Sequence, residues 1–454
     1  MRVIVIGAGI SGLACAWRLA ERRVEAIVLE SAGRAGGIID GIARNGFIFE
    51  LGPQSFQQTP ALGEFIHAAG LEEDLLAAPA RAARYVLAGG RLRRAPMGPE
   101  ILVNGELLGL STRLRLLRDL VGWSKPPDRE ESVADFARRK FGGELLDRLA
   151  GPFVSGVYAG DPERLGYRDA FPDLHLWESE KGSILRGALR AMRLRGKGGR
   201  GRAALVTLLK GNASLPQRVA AKLGERIRFG TSVESVVRAQ PAGLEARCVS
   251  AEGRCSLAAD AVVCCAPADH AGRILAGLSL RLGELLQSIE YAPVAVVGTG
   301  YRREQVRHPL DGFGFLVARS ESRKLLGTVW SSSLFPKRAP AGMVNLASFV
   351  GGATDPAATE LAPAAIGEMV EKELAEILGI TGPPAERVVQ VHRRALPQYN
   401  VGHRRLVEQI RSEAARVGRL FLAGNFLDGP STGACVELGF RVAEEAVSVT
   451  AGVV

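Results

Sequence analysis

A glycine motif directly after a short apolar run is the feature that most constrains the fold of this chain. Residues 3–6 are Val-Ile-Val-Ile, a composition that predicts a fully buried strand. Residues 13–22 have the pattern of a helix, and residues 26–30 predict a second strand that ends in Glu30. Between the first strand and the helix lies the pattern G-x-G-x-x-G, formed by Gly7, Ala8, Gly9, Ile10, Ser11 and Gly12. This βαβ unit predicts an α/β fold with a doubly wound, Rossmann-like sheet.

Each glycine of the motif has its own task in binding a dinucleotide. Gly7 permits the tight turn, Gly9 lets the backbone approach a pyrophosphate, and Gly12 lets the helix pack closely on the strand. The start of the helix then directs free N–H groups and a partial positive charge at the phosphates. Glu30 is placed to accept hydrogen bonds from ribose hydroxyls. A chance glycine turn is the alternative, but the surrounding strand, helix and acid favour a dinucleotide site.

Buried runs far along the chain predict that the nucleotide-binding domain is discontinuous. Residues 261–266 and 420–423 resemble the first strand in composition. We therefore expect this domain to comprise residues 1–75, 205–270 and 410–454.

The remaining segments predict two further units, so the fold is α+β overall. Strand candidates at residues 291–301, 313–317, 327–330 and 344–350 predict a β-sheet substrate domain. We expect this domain to comprise residues 76–100 and 271–409. Residues 101–204 are rich in Leu and Arg and predict a helical insertion. Within it, the Gly- and Arg-rich residues 193–202 predict a loop.

The net charge of +10 is compatible with an acidic small substrate, an anionic membrane or a nucleic acid. The chain carries no helix-turn-helix, zinc-finger or RNA-recognition signature, so we expect no nucleic-acid partner. No run of apolar residues is long enough to span a bilayer, and the N-terminus shows no targeting signal, which favours a cytoplasmic protein. Leu114, Leu117 and Val121 recur at helical spacing beside arginines, and this segment either lies on an anionic membrane or packs on the core.

The cysteines and histidines point to no metal site and to no protein nucleophile. The six cysteines form no C-x-x-C pair, and most lie in apolar runs, which indicates reduced and mainly buried thiols. The six histidines are dispersed along the chain. We therefore expect no metal and name no catalytic side chain.

Several segments beyond the glycine motif favour FAD over NAD. Arg34 stands before the pair Gly36 and Gly37, an arrangement similar to a second signature of many FAD oxidases. The segments at residues 50–53 and 423–425 resemble further parts of flavin oxidases that approach the cofactor. The predicted FAD contacts are Gly7, Ala8, Gly9, Ile10, Ser11, Gly12, Glu30, Ser31, Arg34, Gly36, Gly37, Gly52, Pro53, Gln54, Ser55, Val233, Gly424, Asn425, Pro430, Ser431 and Thr432.

Ordered blocks along nearly the whole chain resemble the protoporphyrinogen oxidase family of the flavin amine oxidase superfamily. They include LGPQSF at residues 51–56, GVYAGDP at 156–162, DGFGFLV at 311–317 and LGTVWSS at 326–332. The sequence departs from the family pattern at residues 426–434, where most members have an aromatic residue and an Asp-Cys pair. It also has Asp40 where several members have a basic residue.

The resemblance implies FAD-dependent oxidation of protoporphyrinogen IX to protoporphyrin IX by dioxygen. It implies that Leu316, Val329 and Phe349 line an apolar pocket for the macrocycle, that Arg84 holds a propionate, and that Gly156 brings backbone close to a pyrrole nitrogen. The alternative for the three apolar residues is ordinary core, and for Arg84 a solvated surface position. Since orientation over the flavin is expected to carry the rate, no general base is assigned.

Three other functions and several partners stay open at this point. The closest alternative is a coproporphyrinogen III oxidase of the same fold, which the sequence separates poorly from the first choice. A flavin amine oxidase or a carotenoid-type desaturase would share only the nucleotide half, and a flavin-binding scaffold without turnover is the third alternative. The resemblance also suggests contact with an anionic membrane, with ferrochelatase or with a second copy of the chain.

Overall fold

The structure is a computed structural model that describes residues 1–96, 99–102, 105–198, 205–240 and 242–451. Its centre is a five-stranded parallel sheet, which we call the nucleotide sheet. Its strand order is Ile227–Arg228, Glu25–Leu29, Arg2–Ile6, Ala261–Cys264 and Leu420–Leu422. Three separate stretches of the chain supply these strands, and the predicted α/β class is confirmed. The strand predicted at residues 261–266 is shorter because Pro267 begins the turn into the next helix.

The helix after the glycine motif packs closely against the last helix of the described chain. A Cβ atom on Gly439 would lie only 2.5 Å from the Ser11 carbonyl oxygen, so glycine is required where the two backbones meet. This contact brings the starts of both helices to the same edge of the nucleotide sheet. The helices of this half are Ile10–Glu21, Pro60–Ala69, Ser214–Leu223, Ala268–Leu275, Leu280–Gln287, His403–Val417 and Thr432–Ala451.

Smaller antiparallel sheets extend the nucleotide half. One, which we call the hairpin sheet, consists of Ser232–Arg238, Leu244–Ser250 and Gly253–Ala259, in that order. Gly41–Arg44 pairs with Phe47–Glu50. The last small sheet has Leu205–Leu208 between Phe56–Gln57 and Leu75–Ala77.

A seven-stranded sheet, which we call the large sheet, forms the second half of the molecule. Its strand order is Glu386–Pro397, Tyr291–Arg302, Met343–Gly351, Leu325–Val329, Gly312–Val317, Ala83–Ala88 and Arg91–Arg94. Only the pair formed by Gly312–Val317 and Ala83–Ala88 is parallel. Helix Pro363–Leu378 packs Ile366 and Val370 on one face of this sheet, against residues that include Phe315 and Val350. On the opposite face, Leu326 and Phe349 pack around the buried Val294 and Val296.

Residues 105–198 form a series of helices joined by loops. The segments are Leu110–Val121, Val133–Lys140, Gly143–Leu145, Leu146–Ala150, Gly151–Tyr158, Tyr167–Ala170, Pro172–Lys181 and Ile184–Gly198. The loop predicted for residues 193–202 is wrong as far as Gly198, because the Leu- and Arg-rich stretch continues the helix. Residues 199–202 lie outside the described residues. The exact domain boundaries given above remain predictions.

Helix Leu110–Val121 directs an apolar row to solvent. Its buried side chains are Thr112, Leu116 and Asp119, whereas Leu114, Leu117 and Val121 are exposed. The interpretation that these three residues pack on the core is therefore wrong. Within the described part of the chain, no helix combines the length and the apolar character needed to cross a lipid bilayer.

Short helical turns connect the larger elements. They are Pro99–Leu102, Gly224–Arg226, Arg303–Gln305, Arg319–Glu321, Ser331–Leu334 and Pro356–Thr359.

Candidate functional site

The glycine motif forms a tight turn at the carboxyl end of strand Arg2–Ile6. Gly7 has φ of +100°, a backbone conformation that favours glycine. A Cβ atom on Gly12 would lie 1.9 Å from the Gly7 carbonyl oxygen, so no side chain fits there. Gly9 precedes helix Ile10–Glu21, and a Cβ atom built on it would meet nothing within 4 Å. The turn thus leaves open space at the helix start, where a phosphate can approach the N–H groups.

Glu30 lies at the end of the neighbouring strand and is fixed against this turn. One carboxylate oxygen accepts a hydrogen bond from the Ala8 N–H at 2.6 Å, and the other accepts one from the Ala32 N–H at 2.8 Å. The Ser31 hydroxyl is 3.4 Å from the same carboxylate. The carboxylate therefore stands where the ribose of a bound dinucleotide would follow the pyrophosphate.

The second glycine pair runs directly beside the first. The Gly36 N–H donates to the Ala8 carbonyl at 2.8 Å, and a Cβ atom on Gly37 would lie 3.6 Å from the Gly9 Cα atom. The half-exposed Arg34 donates to the Gly37 carbonyl at 2.9 Å and pairs with Asp40 at 3.0 Å. Asp40, where several family members have a basic residue, thus holds Arg34 beside the glycine turn.

The segment at residues 50–55 is held from both sides. A Cβ atom on Gly52 would lie 2.0 Å from the Ile38 carbonyl oxygen, which requires glycine. The Gln54 amide donates to the Gly52 carbonyl at 3.1 Å, and the Asn212 amide donates to the Pro53 carbonyl at 2.9 Å. Ser55 follows in the same half-buried segment. This path brings the chain past Gly37 with its backbone fixed.

A buried ion pair behind this segment was not predicted from the sequence. The Arg338 guanidinium lies 2.9 Å from a Glu50 carboxylate oxygen, and both side chains are almost fully buried. Arg338 also contacts Thr207 and the Leu208 carbonyl. Burial raises the pKa of Glu50 to about 7, while Arg338 and the Asn212 N–H oppose that rise. No local sequence motif indicates this pair, because its two residues are far apart in the sequence.

The C-terminal candidates surround the start of helix Thr432–Ala451. The Ser431 hydroxyl accepts from the Ala434 N–H at 3.2 Å and so caps the helix after Pro430. The Asn425 carbonyl accepts a hydrogen bond from the Tyr399 hydroxyl, and Gly424 precedes it at the end of the sheet. Because this helix packs on Ile10–Glu21, both helix starts face the same space.

Val233 follows closely after a backbone contact with Glu30. It lies in strand Ser232–Arg238, and the preceding Thr231 N–H donates to the Glu30 carbonyl at 2.8 Å. Together the turn, Glu30, the second glycine pair and the two helix starts fit an FAD, because close backbone approach and free N–H groups coincide there.

Four of the five substrate candidates share the face of the large sheet that lies opposite helix Pro363–Leu378. Arg84 pairs with Gly314, and Gly314 pairs with Val329 on the next strand. Leu316 pairs with Gly327, which in turn pairs with Phe349. Since directly paired residues point to the same side and Leu316 is two positions from Gly314, all four side chains lie on one face. They are half-buried.

The fifth candidate covers this face from the helical region. Gly156 lies in helix Gly151–Tyr158, and a Cβ atom on it would lie 2.2 Å from a methyl carbon of Leu316. The Arg84 guanidinium lies 5.1 Å from the centre of the Phe313 ring, a contact that the sequence did not indicate. Residues that are far apart in the chain are therefore neighbours on this face.

The candidate cofactor segment reaches the same face. A Cβ atom on Gly298 would lie 2.5 Å from the Phe49 ring, and Gly298 pairs with Ala347 in the row of Val329. The His392 ring contacts the Leu51 carbonyl oxygen at 2.6 Å. Strand Phe47–Glu50 and the segment that follows it thus cross the large sheet on the face that carries Val329.

Comparison with known proteins agrees with this architecture. Residues 10–447 match the family of flavin-containing amine oxidoreductases. The chloroplastic protoporphyrinogen oxidase of Nicotiana tabacum is 33% identical over 465 residues, which cover 97% of this chain and 84% of that protein. The coproporphyrinogen III oxidase of Bacillus subtilis is 26% identical, with 98% of each chain covered.

A solved structure supports the fold independently. A candidate protoporphyrinogen oxidase from Exiguobacterium sp. 255-15 superposes with a TM-score of 0.84 at 24% identity, covering 98% of this chain and 99% of that one. The chain belongs to the flavin-containing amine oxidoreductase family, within its protoporphyrinogen oxidase branch, and is an FAD-dependent oxidoreductase.

Proposed function

We propose that this protein oxidises protoporphyrinogen IX to protoporphyrin IX, with FAD as cofactor and dioxygen as final acceptor. The observation that carries the proposal is the meeting of two sets of residues on one face of the large sheet. Arg84, Leu316, Val329 and Phe349 share that face, and the segment at residues 50–55 approaches it along strand Phe47–Glu50. A substrate held on this face would lie beside the cofactor.

The side chains on the face suit a large apolar macrocycle with acidic arms. Leu316, Val329 and Phe349 offer aliphatic and aromatic surface, and Arg84 offers a rigid fork that matches a propionate carboxylate. The lack of a side chain on Gly156 lets Leu316 lie directly against the backbone of helix Gly151–Tyr158, which places this helix over the same face. FAD, when bound, supplies the acceptor for a hydride from the substrate and passes the electrons to dioxygen. We assign orientation, rather than proton transfer, to the protein side chains.

The proposal is tested by mixing the purified holoprotein with protoporphyrinogen IX without oxygen. We expect the flavin absorbance to bleach, and porphyrin fluorescence to grow when air is admitted. An oxidised flavin that persists beside the substrate would contradict the proposal. A yellow protein that oxidises no porphyrinogen would instead support a flavin-binding scaffold.

Coproporphyrinogen III is the second candidate substrate. Support comes from the Bacillus subtilis relative, whose likeness covers 98% of this chain. The coproporphyrinogen carries additional carboxylates, which the excess of basic residues would also accommodate. Measuring kcat/KM for both porphyrinogens under one set of conditions decides between them, and the larger value identifies the substrate.

We further propose that helix Leu110–Val121 rests on an anionic membrane surface. Leu114, Leu117 and Val121 face solvent and Trp123 follows them, so an apolar row lies beside basic residues. The test is sedimentation with phosphatidylserine vesicles at low salt. We expect partial binding that Leu117→Glu weakens, whereas Leu361→Glu, a change at another exposed leucine, leaves it unchanged. Failure to bind at every ionic strength would remove the membrane proposal.

The remaining predicted partners, ferrochelatase and a second copy of this chain, stay proposals, as does the cytoplasmic location. The poor solubility expected of the porphyrin product supports its direct transfer to another protein of the same pathway, such as ferrochelatase. Light scattering of the purified protein tests association with a second copy, and light scattering of its mixture with ferrochelatase tests that complex. If both samples contained only the masses of the separate chains, both partners would be excluded.

A further inference from the structure

Two free cysteines face each other across the hairpin sheet. Cys248 in strand Leu244–Ser250 pairs directly with Cys255 in strand Gly253–Ala259. Directly opposed residues of an antiparallel pair have Cα atoms about 4.5–5.5 Å apart. Disulfides form at Cα separations of about 4.4–6.8 Å, so the backbone already holds the two residues within bonding range.

The two thiols have different access to solvent. Cys248 is 1% exposed and contacts the Ala246 carbonyl oxygen at 3.5 Å, whereas Cys255 is exposed. Cys255 lies on the outermost strand of the hairpin sheet, where a small oxidant reaches it directly. Burial and the adjacent Cys255 thiol raise the pKa of Cys248 to about 11. Cys248 is therefore protected from solvent oxidants but is next to the thiol that they reach.

We propose that Cys248 and Cys255 are a reversible oxidation site, in which hydrogen peroxide converts the two thiols into a cross-strand disulfide. In the first step the Cys255 sulfur attacks the peroxide, the O–O bond breaks, and a sulfenic acid and one water form. In the second step the Cys248 sulfur attacks the Cys255 sulfur. An S–S bond forms, the S–O bond breaks, and the departing hydroxyl leaves as water with the Cys248 proton. The pair loses two electrons and the peroxide gains them.

The source of the oxidant links this site to the proposed function, and in that respect the inference rests on it. Transfer of electron pairs from a flavin to dioxygen releases hydrogen peroxide, so the protein would produce the oxidant of its own thiol pair. The pair also lies one strand from a predicted FAD contact, since Cys248 pairs on its other side with Val233. Disulfides of intracellular proteins are commonly transient and redox-sensing, which agrees with a reversible bridge.

The direct test treats the purified holoprotein with hydrogen peroxide, alkylates the remaining thiols and maps the peptides by mass spectrometry. We expect a linked peptide containing Cys248 and Cys255 that is lighter by two hydrogens and that dithiothreitol separates. Cys248→Ser and Cys255→Ser should each lose this peptide. Cys264→Ala removes a buried cysteine outside the pair and should retain it. A Cys255 that proceeds to sulfinic or sulfonic acid in the parent protein without a linked peptide would overturn the proposal.

A second arm separates this inference from the proposed function. The holoprotein is allowed to turn over protoporphyrinogen IX in air, with and without catalase, and the linked peptide is quantified. We expect the bridge to form only when catalase is absent. If the porphyrinogen is not oxidised, the proposed function fails, yet the arm with added peroxide still decides whether the thiol pair is an oxidation site.

Discussion

The nucleotide sheet and the large sheet place their candidate ligand residues in opposite ways. In the nucleotide sheet, the turn from Gly7 to Gly12 is continuous in sequence, and backbone groups form most of its contacts. On the large sheet, Arg84, Leu316 and Phe349 come from three strands that are distant along the chain. The candidate phosphate site therefore depends on local backbone geometry, whereas the candidate site on the large sheet depends on the order of its strands.

The strongest way to break the first region alone is Gly12→Val. Its side chain would begin 1.9 Å from the Gly7 carbonyl oxygen, so the turn must open. We expect the purified variant to lose nearly all its FAD, measured as flavin absorbance per protein. Gly63→Ala is the control, because a Cβ atom there meets nothing within 4 Å. A Gly12→Val protein with its full complement of FAD would show that the turn does not bind the pyrophosphate.

Arg338→Met breaks the buried Glu50–Arg338 ion pair, which connects the two regions. The change leaves the Glu50 carboxylate buried without its partner, and loss of one member of a buried pair costs about 3–5 kcal/mol. We expect the free energy of unfolding in urea to fall by that amount. Arg302→Met, which removes an exposed arginine paired with Glu304 at 3.9 Å, should change it by about 0–1 kcal/mol. Equal effects would mean that the buried pair does not join the two halves.

The free energy of unfolding should also depend on pH through the Glu50 carboxyl of this pair. Its pKa is raised to about 7 from an ordinary value of 4.5, so the unfolded chain releases this proton at lower pH than the folded chain. The contribution of Glu50 is therefore present below about pH 4.5 and is lost as the pH rises through about 7. We expect a loss of roughly 1–3 kcal/mol over this window, on the scale of about 1.4 kcal/mol for each pKa unit.

Urea unfolding at both ends of that window checks this pH dependence. Glu50→Gln carries no ionisable group and should flatten it. A parent protein and a Glu50→Gln variant with the same slope would contradict the assignment to Glu50.

The smallest expected effect is a loss of substrate binding and concerns the large sheet alone. Arg84→Ala should raise the KM for the porphyrinogen about tenfold, which is about 1.4 kcal/mol of binding, because a carboxylate loses its cationic partner. FAD content should not change, since Arg84 lies on the face that we propose for the substrate. The control is Arg91→Ala in the adjacent outermost strand. Equal losses of flavin and substrate binding in Arg84→Ala would indicate a structural role.

The departure from the family pattern at residues 426–434 shows why a motif alone is an incomplete guide. Asp428 in this segment contacts both Arg411 and Arg441, so the chain fixes the turn with an ion-pair cluster. The Ser431 hydroxyl caps the following helix. These contacts fix the segment that leads into the helix packed on Ile10–Glu21.

The sequence by itself determined the first βαβ unit, the glycine turn and the strand-end acid. Their periodicity and steric demands lie within thirty consecutive residues and require no distant partner. It also indicated the apolar strands of the large sheet, left open whether the apolar row of helix Leu110–Val121 packs on the core, and was wrong on the end of helix Ile184–Gly198. Which side of helix Leu110–Val121 is buried depends on what packs around the helix, and local composition does not reveal that.

Only the tertiary structure decided which distant residues meet. The Glu50–Arg338 pair, the contact of Gly156 with Leu316 and the shared face of Arg84, Val329 and Phe349 follow from strand order and from packing between layers. The same holds for Cys248 and Cys255, which become opposed through the register of their hairpin. Such contacts are specified by the burial of whole faces, and the energy of that burial is not contained in any single motif.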